Sequence, residues 1–333
     1  MAMNNMRKLK NILFVVTPET SSKIAFQRAM TLAENNQAHL TVIKVIDGMV
    51  GSIRLPIRQT SLLTLQEKLI VVSKQELEVL ARSCNKKIKV DTKVLIGTTF
   101  IEIIREVLRG EYDWVIKVAE IDDERLGRNF RSDDMNLLRK CPCPVLLINS
   151  KQGSLFKRIL AAVDVDDNYE PKELNTRHRL NVNILETASS IALSESSADL
   201  QIIHAWRAVG ESFMEGGFVS SSDEDVAEYV EEVRQQHVKN MDSLVDEVRT
   251  KLGAEAIEYI KPTIHLLKGW PRTVIPDFVN HAKADLVVMG TVGRTGVPGF
   301  IMGNTAETIL NHINCSVLAI KPEGFKTPVT LND

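Results

Sequence analysis

Residues 290–305 read GTVGRTGVPGFIMGNT, a spacing of G-x2-G-x9-G-N-T. Glycine has no Cβ, so Gly290, Gly293 and Gly303 would let backbone amides come close to an anion. A helix opening just after Gly303 would add its free N–H groups and the positive end of its dipole. Asn304 or Thr305 could cap that helix or touch a phosphate directly. Arg294 is either a further positive contact or a solvated surface charge. The spacing predicts a site for a phosphate-bearing small molecule, provided that a strand delivers Gly290 and a helix starts at 304.

Other chemistry finds less support. The four cysteines are Cys84, Cys141, Cys143 and Cys315. Cys141 and Cys143 have C-x-C spacing, but no second Cys/His cluster stands near them in sequence to complete a tetrahedral metal site. Two thiols leading into a strand is the expectation. The chain contains no G-x-x-x-x-G-K-[ST], no G-x-S-x-G and no H-E-x-x-H. No paired carboxylate and histidine adjoin the glycine-rich loop. A ligand-binding protein is therefore expected. The alternatives are a slow ATPase or nucleotidyl-transfer enzyme, a scaffold without ligand, and a binder of a non-nucleotide acyl- or sugar-phosphate.

Composition sets the outer bounds. The chain has 333 residues, 44% hydrophobic and 25% charged, with 41 basic and 43 acidic residues and a net charge of −2. That balance excludes disordered and disulfide-stapled classes and lacks the basic footprint of a nucleic-acid binder. No apolar run reaches the ~18 residues of a membrane span. Near the N-terminus the apolar run 12–16 leads into Pro18 and Glu19 without a small-residue cleavage site, so a first strand is expected there and a cytoplasmic location overall.

The elements that must position the loop come in two copies. Gly97, Ile103, Val107, Asp113, Val115, Leu138, Cys143, Val145, Leu146 and Ile148 each recur 172 positions later. Earlier segments match at smaller offsets: 11–19 with 158–166, and 38–46 with 198–206. Polar insertions at 168–181 and 210–225 account for the growth. The linker 149–154 divides the chain into domains 1–150 and 155–322, with a tail at 323–333.

Apolar runs alternate with amphipathic stretches in each copy. The first predicts strands at 11–16, 39–46, 88–95, 113–118 and 144–148, with helices at 20–35, 60–83, 98–109 and 132–140. The second predicts strands at 158–165, 199–205, 259–267, 285–289 and 316–320. Its helices lie near 180–192, 226–248, 272–282 and 304–313. This alternation implies a parallel sheet covered on both faces, with ligands at the carboxyl ends of the strands. The glycine-rich loop follows the fourth strand of the second copy, as the condition requires.

Each half resembles a universal stress protein domain, and the whole chain resembles the tandem, two-domain form of that family. GTVGRTG (290–296), GNTAE (303–307) and LLRKCPCPV (137–145) carry the resemblance. It implies two Rossmann-like domains of the adenine-nucleotide alpha hydrolase type, each a five-stranded parallel-type sheet with helices on both faces. The nucleotide-binding branch has G-x2-G-x9-G followed by Ser or Thr. Here the three glycines match, while Asn304 precedes Thr305.

The implied ligand is ATP or another nucleotide, with magnesium able to join its phosphates through Asp164. Asp164 matches the acidic contact after the first strand, or else it caps the turn with Asp166 and Asp167. Ile203 and Ala205 match the backbone contacts to the base, and Met289 stands beside the base or ribose. His204 between them is read as a strand histidine satisfied by its neighbours. The family also dimerises. A tandem chain can make that contact internally through its last strands, 144–148 and 316–320, and whole chains can pair further.

The first copy lacks the loop. Val118, Ile121 and Arg131 stand where the second has Gly290, Gly293 and Gly303, and Thr17 stands for Asp164. The acidic run 120–124 is expected to repel a phosphate there. The first domain is therefore expected to act as packing partner rather than as a second site.

Overall fold

In the computed structural model the described residues are 8–17, 22–48, 59–84, 87–120, 130–153, 155–195, 198–215, 222–292 and 302–331. Two copies of one alternating pattern follow each other. In the first, strands β1 (Asn11–Val15), β2 (His39–Ile46), β3 (Val90–Ile96), β4 (Trp114–Val118) and β5 (Val145–Ile148) alternate with helices α1 (Ser22–Asn36), α2 (Gln59–Arg82), α3 (Thr99–Gly110) and α4 (Ser132–Lys140). In the second, the strands are β6 (Arg158–Ala162), β7 (Asp199–Trp206), β8 (Thr263–Lys268), β9 (Leu286–Gly290) and β10 (Ser316–Ile320). The second copy's helices are α5 (Pro171–Ser194), α6 (Glu211–Glu215), α7 (Asp223–Leu252), α8 (Ala254–Ile260), α9 (Pro271–His281) and α10 (Asn304–His312). Among the described residues no helix is long and apolar enough to cross a membrane.

The two five-stranded halves join into one ten-stranded sheet, in the order β3-β2-β1-β4-β5-β10-β9-β6-β7-β8. Within each half neighbouring strands run parallel. At the junction β5 and β10 pair antiparallel, with Leu146 opposite Leu318 and its neighbours crossed: Val145 faces Ala319 and Leu147 faces Val317. Leu146 and Leu318 are equivalent positions of the repeat, so a local two-fold axis passes between them, the geometry of an isologous interface inside one chain. Pairing also removes the two apolar edges that would otherwise be open to other chains.

Strand alternation splits the core into two layers. Ile12, Phe14, Leu146, Ile159 and Leu318 lie on one face with α1, α5 and α7. Leu13, Val15, Leu147, Leu160 and Val317 lie on the other with α3, α4, α9 and α10. Both layers run across the junction. Polar contacts reinforce it: Arg28 of α1 reaches Glu195 at the end of α5 at 2.6 Å, and the Asn149 amide donates to the Ser316 hydroxyl at 3.0 Å.

Repeated residues do repeated jobs. Asp113 Oδ2 accepts the amides of Lys10 and Asn11 at the head of β1, and Asp285 Oδ2 accepts those of Lys157 and Arg158 at the head of β6. Gly97 and Gly269, after β3 and β8, both hold φ near +143°, at 144° and 142°, where a side chain is strained.

Three expectations change. Residues 171–181 are no insertion loop but the first turns of α5, nucleated by Pro171 in its first turn. The third strand of the second half begins at Thr263 rather than Tyr259. Residues 254–260 form α8, which Lys261 ends in the left-handed region, and Pro262 has no N–H for the ladder. Within 210–225, Glu211–Glu215 is helical and α7 opens with a capping box between Ser222 and Asp225.

Candidate functional site

β9 delivers Gly290 to the carboxyl edge of the sheet, between β6 and β10. Met289 lies beside Ala162, and Gly290 lies beside Ile320. The chain returns at Gly303, whose amide donates to the Thr291 carbonyl at 3.1 Å. Val292 and Met302, flanking the undescribed stretch, are both buried. The ends of the loop are thus pinned side by side at the sheet edge. Gly293 and Arg294 lie outside the described residues.

Gly303 is the N-cap of α10, and no side chain caps the helix there. Asn304 and Thr305 are exposed first-turn residues of α10, so neither is its cap. The capping role expected of them is corrected: the chain turns helical one residue too early. The two glycines serve different ends. A Cβ at Gly290 would lie 2.7 Å from Leu180 Cδ2, so a side chain there would have to displace Leu180 of α5. Among the described residues a Cβ at Gly303 would meet nothing within 4 Å, and its φ of −59° suits any residue. Neither the described packing nor the backbone demands a glycine at 303.

The same place in the first half is filled. Asp134, in the first turn of α4, accepts the Glu120 amide at 2.6 Å and the Lys117 ammonium at 2.8 Å. Lys117 also reaches Glu120 at 2.5 Å, and Arg131, the N-cap, reaches Glu120 at 3.2 Å. Lys117 and Asp134 side chains are 1% and 0% exposed. Burial pushes the Asp134 carboxyl up, with Lys117 offsetting only part of it. Burial also raises Glu120, but its bonds to Lys117 and Arg131 outweigh that and hold it below the ordinary range.

Side chains of the chain itself therefore fill the place beside the start of α4. The repulsion expected from the acidic run is corrected for Glu120, whose charge is paired; 121–124 lie outside the described residues. The equivalents of Lys117, Glu120, Arg131 and Asp134 in the second half are Met289, Val292, Gly303 and Ala306. All four charges are gone there.

Asp164 lies two residues past β6, on the same edge. Its backbone is clamped by Asn181, whose side chain both accepts from the Asp164 amide and donates to its carbonyl. Oδ1 accepts the Asp166 amide at 3.3 Å, the turn expected as one of its two roles. Oδ2 accepts from Arg177 at 2.7 Å and from the Tyr169 hydroxyl at 2.9 Å. Arg177 stacks on the Tyr169 ring at 3.6 Å. Burial first, then the Asp164 charge, raises the Tyr169 hydroxyl well above its ordinary value. Arg177, Tyr169 and Asn181 escaped sequence reasoning because 168–181 looked like an insertion. The helical recurrence of Arg177 and Asn181 could have placed them on one side of a helix.

Strand β7 contributes less than expected. Ile203 is fully buried, paired to Ala162 on one side and His265 on the other, and its carbonyl accepts the Val163 amide. Its carbonyl is thus taken up by the ladder. Ala205 pairs with Leu267 of β8 but lies beyond the last paired residue of β6, which leaves one side of its backbone outside the ladder. Met289 is buried in the core layer rather than lining the edge, for the same reason of strand alternation.

His204 is buried, with Nδ1 at 3.3 Å from the Val163 carbonyl and Nε2 at 3.1 Å from His237 Nδ1 of α7. Burial pushes its pKa down. Its ring is satisfied inside the core.

A cavity of about 1440 Å³ lies between α5, the heads of β4 and β5 and the segment after β10; its walls do not include Asp164, Gly290 or Gly303. Among the described residues no group of three or more His, Cys, Asp and Glu side chains could hold a metal ion.

The profile of the universal stress protein family matches residues 8–149 and again 156–321. Universal stress protein E homolog of Haemophilus influenzae (strain ATCC 51907 / DSM 11121 / KW20 / Rd) is 29% identical over 323 residues, 95% of this chain and 98% of that one. Universal stress protein E of Escherichia coli (strain K12) is 28% identical over 336 residues, 98% of this chain and 99% of that one. A crystal structure of a functionally unknown protein from Pseudomonas aeruginosa PAO1 has TM-score 0.62 at 25% identity, covering 94% and 93% of the two chains. A universal stress protein from Archaeoglobus fulgidus DSM 4304 shares the fold, with TM-score 0.56 at 16% identity over 96% and 98%.

Proposed function

The chain belongs to the universal stress protein family in tandem form, and from that premise we propose that it is a stress-response protein binding a nucleotide or similar phosphate-bearing molecule in its second half alone. One observation carries the proposal. Where the first half fills the start of α4 with Lys117, Glu120, Arg131 and Asp134, the second half has Met289, Val292, Gly303 and Ala306 at the start of α10. A helix start whose N-cap offers no side chain, and whose first-turn Glu307 is drawn to Arg139, favours an anion from outside, through its N–H groups and dipole.

The phosphates would sit against the backbone of residues 303–305, with Gly290, Gly293 and Arg294 along the loop. Two described cations stand at this edge: Arg177, through Asp164, and Lys321, through Thr291 beside Gly290. Ala205 offers the unlaced backbone edge for a base. Magnesium fits less well: Asp164, the carboxylate expected to reach it, is already held by Arg177 and Tyr169. No hydrolytic step is assigned. Residues 1–150 serve as the internal partner, their own site being closed, and 155–322 carry the ligand.

The test is to purify the chain from cells, denature it and identify released small molecules by mass spectrometry. Thermal shift with added ATP and other nucleotides runs beside it. Ligand at a hundred times its Kd should stabilise the protein by about 2.7 kcal/mol. If nothing is released and no nucleotide or phosphate compound raises Tm, the proposal is wrong. Two equivalents of one ligand per chain would overturn the assignment to the second half.

A further inference from the structure

Cys141 and Cys143 flank Pro142 in the turn that joins α4 to β5. Both side chains are buried, and their Sγ atoms are 3.7 Å apart in a shared hydrogen bond. A disulfide needs about 2.05 Å between sulfurs, so closure asks for a movement of less than about 2 Å. The ring formed is short and strained, and strained disulfides are the readily reduced ones.

Two further features separate this pair from ordinary buried thiols. Cys143 lies on the wall of the cavity of about 1440 Å³, together with Pro142, Lys321 and Phe325, which brings a small solute up against the pair from that side. Lys321 is buried, and its ammonium donates to the Leu138 carbonyl, in the last turns of α4, and to the Thr291 hydroxyl. Burial raises the Cys141 thiol, but the hydrogen bond with Cys143 and the Lys321 charge outweigh it and bring the thiol below its ordinary value. Burial pushes Lys321 itself down to about 7, where an amine both gives and takes protons.

The second half has no such pair. Ile313 stands at the position equivalent to Cys141. Cys315, equivalent to Cys143, is pushed up to about 12 by burial.

We propose that Cys141 and Cys143 are a redox dithiol that closes reversibly to a disulfide, with hydrogen peroxide entering through the cavity as the oxidant. The shared proton rests on Cys143 when the Cys141 thiolate attacks a peroxide oxygen. The O–O bond breaks, a Cys141 sulfenic acid forms, and the departing hydroxide takes the Cys143 proton to become water. The Cys143 thiolate attacks the sulfenic sulfur, the S–O bond breaks, and hydroxide leaves, protonated by the Lys321 ammonium to a second water. The two sulfurs lose two electrons and the peroxide gains two. A thiol reductant reverses the closure by exchange.

The test uses the reduced full chain treated with peroxide and mapped by mass spectrometry. Cleavage after Lys140 and Lys151 yields a peptide, 141–151, that holds both cysteines and no other. It should lose two hydrogens on oxidation and regain them with dithiothreitol. Cys143→Ser should instead stop at a Cys141 sulfenic acid, a gain of one oxygen trapped by dimedone. Lys321→Met should slow oxidation about tenfold, since an opposite charge lowers a thiol pKa by a unit or more. Cys84→Ser should change nothing. If the wild-type peptide keeps two free thiols, or the hydrogens are lost elsewhere or between chains, the proposal fails; that measurement needs no variant.

Discussion

The first half's closed site makes a stability prediction that can be worked through from the contacts. Replace Lys117 and Asp134, singly and together, by the residues the second half has at those positions: Lys117→Met and Asp134→Ala. The pair is 2.8 Å apart with both side chains essentially inaccessible. At an effective dielectric of about 20 its gross attraction is about 6 kcal/mol, most of it balanced by the desolvation of both charges.

The single changes should therefore be unequal. Lys117→Met leaves Asp134 buried without its cation and should cost about 3–5 kcal/mol. Asp134→Ala leaves Lys117 with Glu120 at 2.5 Å and the Val118 carbonyl at 3.2 Å, and should cost about 1–3 kcal/mol. The double variant removes both charges and should be more stable than Lys117→Met alone, giving a coupling on the order of 2 kcal/mol.

Urea unfolding of the four proteins at pH 7 measures this, provided that the slope stays constant. A second reading at pH 5 sharpens it. In Lys117→Met the penalty should shrink at the lower pH, because a protonated Asp134 needs no counter-ion. Additive single effects, each below about 1 kcal/mol, would show that the charges are solvated, and the account of why this half is closed would fall with them.

Other outcomes follow from single contacts. Gly303→Arg, which copies Arg131 of the first half, should abolish ligand retention and leave the ligand-free Tm within about 1 °C, since among the described residues no atom lies within 4 Å of its Cβ; retained ligand would move the site elsewhere. Gly290→Ala should destabilise by about 1–3 kcal/mol through overpacking on Leu180, with Leu180→Ala added relieving part of it; full additivity would mean that the contact is not responsible. The pKa of His204 is lowered in the folded state by burial, so the unfolded chain binds its proton first. Its contribution is whole above the unfolded value of about 6.5 and is lost as pH falls through it; a His204→Gln variant whose urea midpoint drops as steeply as wild type between pH 7.5 and 5.5 would refute this.

Much of the architecture was written in residue order alone. The recurrence of Gly97 as Gly269 and of Asp113 as Asp285 revealed a repeat because each copy must solve the same local problem: a positive φ after a strand, and capped amides at a strand head. Apolar runs located nearly all the strands, since a strand buried on both faces has no polar position to spare. The glycine-rich loop was visible for the same local reason, as was the loss of its glycines from the first copy.

Contacts between distant residues were not legible. That Asp134 closes the first site depends on Lys117 and Glu120 arriving from another strand end, which spacing does not encode. The crowding at Gly290 comes from Leu180, on a helix whose first turns looked like an insertion. The two-fold pairing of Leu146 with Leu318 and the approach of Lys321 to the end of α4 exist only once the halves meet. Periodicity reports which face of an element is apolar; which partner meets that face, and which charges are thereby buried together, is decided by packing in three dimensions.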